Sequence, residues 1–150
     1  MSKHVLHGSA AREAVLRGVN FIADAVGVTE GPRGRVCFLG QRALGRTPRV
    51  TRDGVSVCNY VDCSDPTEQL GCDLVREASQ KTDNTVGDGT TATVTLARAM
   101  IQAGFEFIKS GANPIALERG LTKATQTIIH RLREMAVQVD DEKVFQVATV

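Results

Sequence analysis

The sequence predicts a mainly α-helical, multihelical fold that carries one small β-hairpin, and not a chain of alternating βαβ units. Three observations lead there. Apolar residues recur at helical spacing through four long stretches. Two short runs of strand length lie next to each other between glycine-rich turns. The breaks between helices pair a capping residue with a proline, as at Asp65-Pro66 and Asn113-Pro114.

The elements follow in order. Val15, Val19, Ile22 and Val26 are spaced to share one helical face, so residues 9–26 read as a helix. Ser9 is expected to cap it and Gly27 to stop it. Gly31-Pro32-Arg33-Gly34 punctuates the chain, Val36 to Leu39 has the length of a strand, and Thr47 to Thr51 is its expected partner across a loop at 40–46. Asp53-Gly54 reads as a turn. From Asp65-Pro66 a second helix, with Leu70, Leu74, Val75 and Ala78, runs towards Asp83. A third carries Val94, Ala97, Ile101, Phe105 and Ile108 on one face and ends at Gly111. The fourth has the clearest pattern, through Leu117, Leu121, Ala124, Ile128, Leu132 and Met135. Asp140 or Asp141 is expected to cap a short final helix.

Composition excludes several classes. The 150 residues suffice for one domain with a core, and 42% are hydrophobic. No apolar run approaches the roughly 20 residues that span a bilayer, so no membrane partner is expected. Met1-Ser2-Lys3-His4 leads into no apolar segment, so neither a signal peptide nor an Arg-rich transit segment is expected. A net charge of +1 with interleaved signs argues against a nucleic-acid surface, and the 4% aromatic content against a base-stacking platform. Cys37, Cys58, Cys63 and Cys72 form no C-x-x-C pair. They are expected to be free thiols packed as small hydrophobes, without a disulfide framework or a metal site. His4 and His7 are too isolated to propose as ligands, and His130, in a helical stretch, is expected to be a partly exposed side chain.

Chemistry concentrates in three turns. Gly87-Asp88-Gly89-Thr90-Thr91 stands at the mouth of a helix. Unpaired N–H groups and a partial positive charge make such an end an anion site. Glycines let the backbone approach a phosphate, threonines add donors, and aspartate is a hard oxygen ligand for Mg²⁺. Ordinary N-capping explains the same residues. The Walker pattern is absent, and the oxygen ligands of an EF-hand do not alternate here. Thr29-Glu30-Gly31-Pro32 follows the first helix. Thr51-Arg52-Asp53-Gly54 follows the second strand and offers a cation for phosphate and a carboxylate that could orient water. Each of these two also reads as a plain turn.

In this order the segments resemble the group I chaperonins of the GroEL type, the 60 kDa chaperonin family. The resemblance rests on Leu16-Arg17-Gly18-Val19-Asn20, Ala23-Asp24-Ala25-Val26, Gly31-Pro32, Asp53-Gly54-Val55-Ser56-Val57 and Gly87 to Thr91. It continues through Gly111-Ala112-Asn113-Pro114, Arg119-Gly120 and Gln146-Val147-Ala148-Thr149-Val150. It implies the first half of an equatorial, ATP-binding domain at residues 1–134 and the start of an intermediate domain at 135–150. It implies ATP and Mg²⁺ as cofactors, with Thr29, Glu30, Gly31 and Pro32 along the nucleotide and Arg52 near its phosphates. Asp88 would hold Mg²⁺; Gly89, Thr90, Thr91 and Ala92 would lie at the phosphate oxygens. Asp53 would position the attacking water as the catalytic residue, and Val150 would border the adenine. The implied partners are other subunits in a ring homo-oligomer, unfolded client proteins and a co-chaperonin. The implied compartment is the cytoplasm for a bacterial source and the mitochondrial or plastid matrix for a eukaryotic one.

Three residues depart from the family pattern. Arg52 stands where lysine is usual, Ala92 where a hydroxyl residue is usual, and Glu30 where an apolar residue is usual. They bear on hydrolysis rather than on fold, because arginine and lysine differ in shape and hydration and a carboxylate repels a triphosphate. The apical domain and second catalytic aspartate of the family have no counterpart in these residues, so the chain alone is expected not to turn over ATP. The alternative reading is a chaperonin-like structural or interaction module with a weakened nucleotide site.

Overall fold

In a computed structural model of the chain, residues 5–40 and 47–148 are described. The expectations placed on Met1 to His4, on residues 41–46 of the hairpin loop and on Val150 lie outside the described residues. The elements are α1 (Gly8–Gly27), β1 (Cys37–Leu39), β2 (Arg49–Thr51), α2 (Gly54–Tyr60), α3 (Pro66–Val86), α4 (Thr90–Lys109), α5 (Pro114–Met135) and α6 (Asp141–Ala148). The chain divides into two compact units, Met1–Phe105 and Glu106–Val150.

In the first unit the period read for α1 is the period that packs. Val19, Ile22 and Val26 are fully buried, and Val15 is packed against the same cluster. Leu39 of β1, Val57 and Cys58 of α2, Cys72 and Val75 of α3 and Val94 of α4 complete that core. Two glycines set how closely α1 and α3 approach. A Cβ on Gly18 would stand 1.8 Å from the Glu68 carbonyl oxygen, and one on Gly71 would stand 2.1 Å from that of Val15. The hairpin is antiparallel, with Cys37 opposite Thr51, Phe38 opposite Val50 and Leu39 opposite Arg49.

The structure corrects three local expectations. The first helix starts at Gly8 after His7, whose side chain makes no capping bond, so Ser9 lies inside the helix and is not its cap. At its other end the helix stops at Gly27 as expected, with Val28 as C-cap. Asp53-Gly54 is not a free turn but the start of α2, where the Asp53 carboxylate accepts from the N–H groups of Val55 and Ser56. The packed stripe of α3 is Gly71, Cys72, Val75 and Ser79, while Leu70 and Leu74 are more than half exposed. The reason is Gly71: only the face without a side chain there can meet the α1 backbone.

Polar contacts fix α4 on α1, since Arg98 bonds Asp24 at 2.6 Å and Asn20 at 3.1 Å, and Gln102 bonds Asn20 at 2.7 Å. In the second unit, the Asn113 side chain caps α5 through the N–H of Ile115 at 2.9 Å. Asp140 accepts from the N–H of Lys143 at 2.9 Å and is therefore the cap of α6. α5 buries none of its residues, and Leu121, Ile128, Leu132 and Met135 on its apolar face are 40 to 64% exposed. No described helix is long and apolar enough to cross a membrane.

Candidate functional site

The site is built outward from the start of α4. Gly87 closes α3 in the left-handed conformation at φ 74°, and Gly89 repeats it at φ 76°. Side-chain-bearing residues rarely adopt that backbone, so this pair of bends depends on glycine. Nothing lies within 4 Å of where a Cβ would stand on either, which leaves the approach to the helix end open. Between them Asp88 is exposed, its Oδ1 accepting from the Gly89 N–H at 2.6 Å. The N–H of Thr93 donates to the Gly89 carbonyl at 2.9 Å, the first rung of the helix. Thr90, Thr91 and Ala92 therefore carry N–H groups without intrahelical acceptors, at the positive end of a 20-residue helix.

The turn after α1 reaches the same place. Thr29 is buried, and its hydroxyl donates to the Val26 carbonyl at 2.7 Å and lies 3.5 Å from the Thr91 hydroxyl. Gly31 sits at φ 72°, and the loop is tied back by Gly34 N–H to the Gly31 carbonyl and Arg35 N–H to the Val28 carbonyl. Glu30 is held to one side: Thr95, one turn further along α4 than Thr91, donates to its carboxylate at 2.9 Å.

The β2–α2 junction makes the third approach. A Cβ on Gly54 would stand 2.1 Å from Thr91 Oγ1 and 3.5 Å from Thr29 Oγ1, so the absent side chain is what lets the three turns converge. Asp53 is exposed, with its carboxylate accepting from the N–H groups of Val55 (3.2 Å) and Ser56 (3.0 Å) and from the Ser56 hydroxyl. Its own N–H donates to Thr51 Oγ1 at 3.0 Å.

Of the residues singled out from the sequence, the structure thus joins Thr29 to Thr91, places Gly89 and Thr90 beside them, and sets Asp53 next to Gly54. Pro32, Arg52 and Ala92 are exposed, and no hydrogen bond or ion pair ties their side chains to this cluster among the described residues. Gly54 and Thr95 were not singled out as site residues. The four-residue step from Thr91 to Thr95 puts both on one face of α4 and was the available signal. Among the described residues no three His, Cys, Asp or Glu side chains gather as a metal site. Asp88 would offer a magnesium ion a single carboxylate, which fits an ion usually bound by one or two protein carboxylates together with substrate phosphates.

Fold and site together define a helical domain in which a helix start with unpaired N–H groups is bounded by glycines and met by two other turns. Residues 22–150 match the TCP-1/cpn60 chaperonin family, and the chain belongs to it, on the group I, GroEL-type side. Over its whole length it is 44% identical to Chaperonin GroEL 2 of Corynebacterium jeikeium and 43% to Chaperonin GroEL 1 of Corynebacterium diphtheriae. It spans 28% of the length of each of these relatives. Two crystal forms of the chaperonin gp146 from bacteriophage EL 2 (Pseudomonas aeruginosa), solved in the presence of ATP-BeFx, share the fold. One superposes with a TM-score of 0.76 at 28% identity, over 95% of this chain and 25% of that one. The other gives 0.74 at 27% identity, over 90% and 23%.

Proposed function

We propose that this chain supplies the ATP-binding part of a chaperonin subunit, and that the whole subunit assists protein folding through an ATP-driven cycle of client capture and release. The observation that carries the reading is the convergence on Thr91: Thr29 Oγ1 at 3.5 Å and the bare Gly54, from two turns distant in sequence. Capping alone requires no such meeting. Family membership, and the ATP-BeFx present with the gp146 chaperonin, favour a nucleoside triphosphate as the anion.

The residues present fit that ligand. Backbone N–H groups of Thr90, Thr91 and Ala92 and the Thr90 and Thr91 hydroxyls are donors for phosphate oxygens. Gly89 admits those oxygens to the backbone, and Thr29, Glu30, Gly31 and Pro32 would lie along the nucleotide. Arg52 would add positive charge, and Asp88 would hold Mg²⁺, which supplies charge neutralisation at the phosphates when bound. Asp53 would orient the attacking water; its carboxylate, fixed by the α2 N–H groups, is held ready as an acceptor. Residues 1–134 would form the first half of the equatorial domain and 135–150 the start of the intermediate domain. Other subunits in a ring, client proteins and a co-chaperonin would be partners of the whole subunit.

Titration calorimetry of the chain with ATP, with and without Mg²⁺, tests the reading. Saturable, magnesium-dependent binding is expected, with that dependence gone in Asp88→Ala. If Asp88→Ala binds Mg-ATP as tightly as the parent, the α4 start is only a capped turn, and the chain is a chaperonin-like structural module.

A further inference from the structure

Cys63 lies on the connection between α2 and α3, nine residues before Cys72 in α3, and their sulfurs stand 3.1 Å apart. A disulfide needs about 2.05 Å, so roughly 1 Å of closure separates the two states. The connection is already fixed over α3. The Cys63 N–H donates to Gln69 Oε1 at 2.7 Å, and Gln69 Nε2 donates to Asp73 at 2.8 Å. Arg76 donates to the Val61 carbonyl and to Asp62. Cys63 is partly exposed, whereas Cys72 is fully buried and also donates to the Gly18 carbonyl of α1 at 3.3 Å.

We propose that Cys63 and Cys72 are a peroxide-sensitive thiol pair that closes to a reversible disulfide, tying the α2–α3 connection to α3. The Cys63 thiolate attacks one oxygen of a hydroperoxide such as H₂O₂; the O–O bond breaks, giving a sulfenic acid and hydroxide, which takes up the proton Cys63 released. The Cys72 sulfur then attacks the Cys63 sulfur. An S–S bond forms, the S–O bond breaks, and the Cys72 proton leaves with the departing oxygen as water. Two thiols lose two electrons in all, and one H₂O₂ becomes two waters. The order of events follows from burial: desolvation, with the Cys63 sulfur beside it, pushes the Cys72 thiol up to about 12. Cys72 therefore stays a thiol until its neighbour has been oxidised.

The test uses the reduced chain, exposed to H₂O₂, denatured, labelled with a maleimide and mapped by peptide mass. Two of the four thiols should disappear, the Cys63 and Cys72 peptides should be found cross-linked, and dithiothreitol should restore both. In Cys63→Ser, a change at a partly exposed position, Cys72 should stay fully labelled under the same treatment. Cys63 driven to sulfinic acid while Cys72 still takes the label would overturn the proposal. So would Cys72 losing its label in Cys63→Ser, or all four thiols surviving.

Discussion

The convergence on Thr91 can be measured as a coupling energy between Gly54 and Thr91. A methyl group at Gly54 would stand 2.1 Å from Thr91 Oγ1 and 3.2 Å from Thr91 Cβ. The hydroxyl can leave only by turning about the single torsion of a β-branched side chain, which gives up its 3.5 Å approach to Thr29. Overpacking of this kind costs about 1–3 kcal/mol. Exchanging glycine for alanine at a helical position returns about 0.5–1 kcal/mol. Gly54→Ala should therefore destabilise the chain by up to about 2.5 kcal/mol, the difference of these two ranges. In Thr91→Ala the obstructing oxygen is gone, leaving a 3.2 Å approach that a few tenths of an ångström relieve. The double variant should then recover most of the loss, a coupling of about 1 kcal/mol, inside the range of about 0.5–3 kcal/mol typical of residues in contact. Urea unfolding of the parent, both single variants and the double variant gives this number directly. Additivity within about 0.3 kcal/mol would mean that the β2–α2 junction does not touch Thr91, and the reasoning for a shared site would fail.

Other outcomes follow from the same geometry. Gly18→Ala places a methyl 1.8 Å from the Glu68 carbonyl oxygen, a backbone atom that cannot rotate away; α1 and α3 must part, and a loss of at least about 2 kcal/mol is expected in urea unfolding, while an unchanged midpoint would contradict the α1–α3 packing. The N–H groups of Thr67 and Glu68 hold the Asp65 carboxyl below the usual range. Its capping contribution is therefore present above the unfolded value of about 4 and is lost as pH falls through the lower folded value. Asp65→Asn, which caps without titrating, should flatten the acid limb of the stability–pH curve, and an unaltered limb would refute the linkage. The exposed face of α5 should drive self-association of the chain, reduced by Ile128→Lys with Leu132→Lys, both more than half exposed; light scattering that shows the parent as a clean monomer would remove the premise. The chain mixed with Mg-ATP should release phosphate only at background rate, and turnover that disappears in Asp53→Ala would show that these residues suffice for catalysis.

Local signals in the sequence were strong where a single element decides its own structure. The face of α1 and the proline-marked starts of α3 and α5 needed only periodicity and capping chemistry. α2 escaped because seven residues with two valines carry too little period to register, although Asp53 ahead of Ser56 is a cap signal. The buried stripe of α3 ran against hydrophobicity: Leu70 and Leu74 point outward because Gly71 decides which face meets α1. The three glycine-rich turns were each visible, but Thr29 and Thr91 are 62 residues apart and no local pattern shows that they meet. For the same reason Gly54 reads as a turn glycine when its structural role is to leave room for Thr91. The nine-residue step from Cys63 to Cys72 is silent until the α2–α3 connection folds back over α3.

The three departures from the family pattern differ in what the fold does with them. Glu30 is the one that electrostatics would most oppose near phosphates, and it is the one the fold diverts, through Thr95 on the flank of α4. Ala92 loses a hydroxyl, and its neighbour Thr93 cannot stand in. The Thr93 hydroxyl is turned back along the helix to the Gly89 carbonyl at 2.9 Å and to Thr82 at 3.1 Å. What Ala92 keeps is its backbone N–H, still without an intrahelical acceptor. An anion bound at the start of α4, as proposed, would thereby depend less on hydroxyls and more on main-chain donors, whose positions are fixed by the helix and cost no side-chain ordering on binding. Arg52 receives no such compensation: it is exposed at the end of β2 and must order a long side chain to reach a phosphate. If the proposed site holds a nucleotide, Arg52→Lys is expected to act on hydrolysis, where charge placement matters most, and Ala92→Thr on affinity.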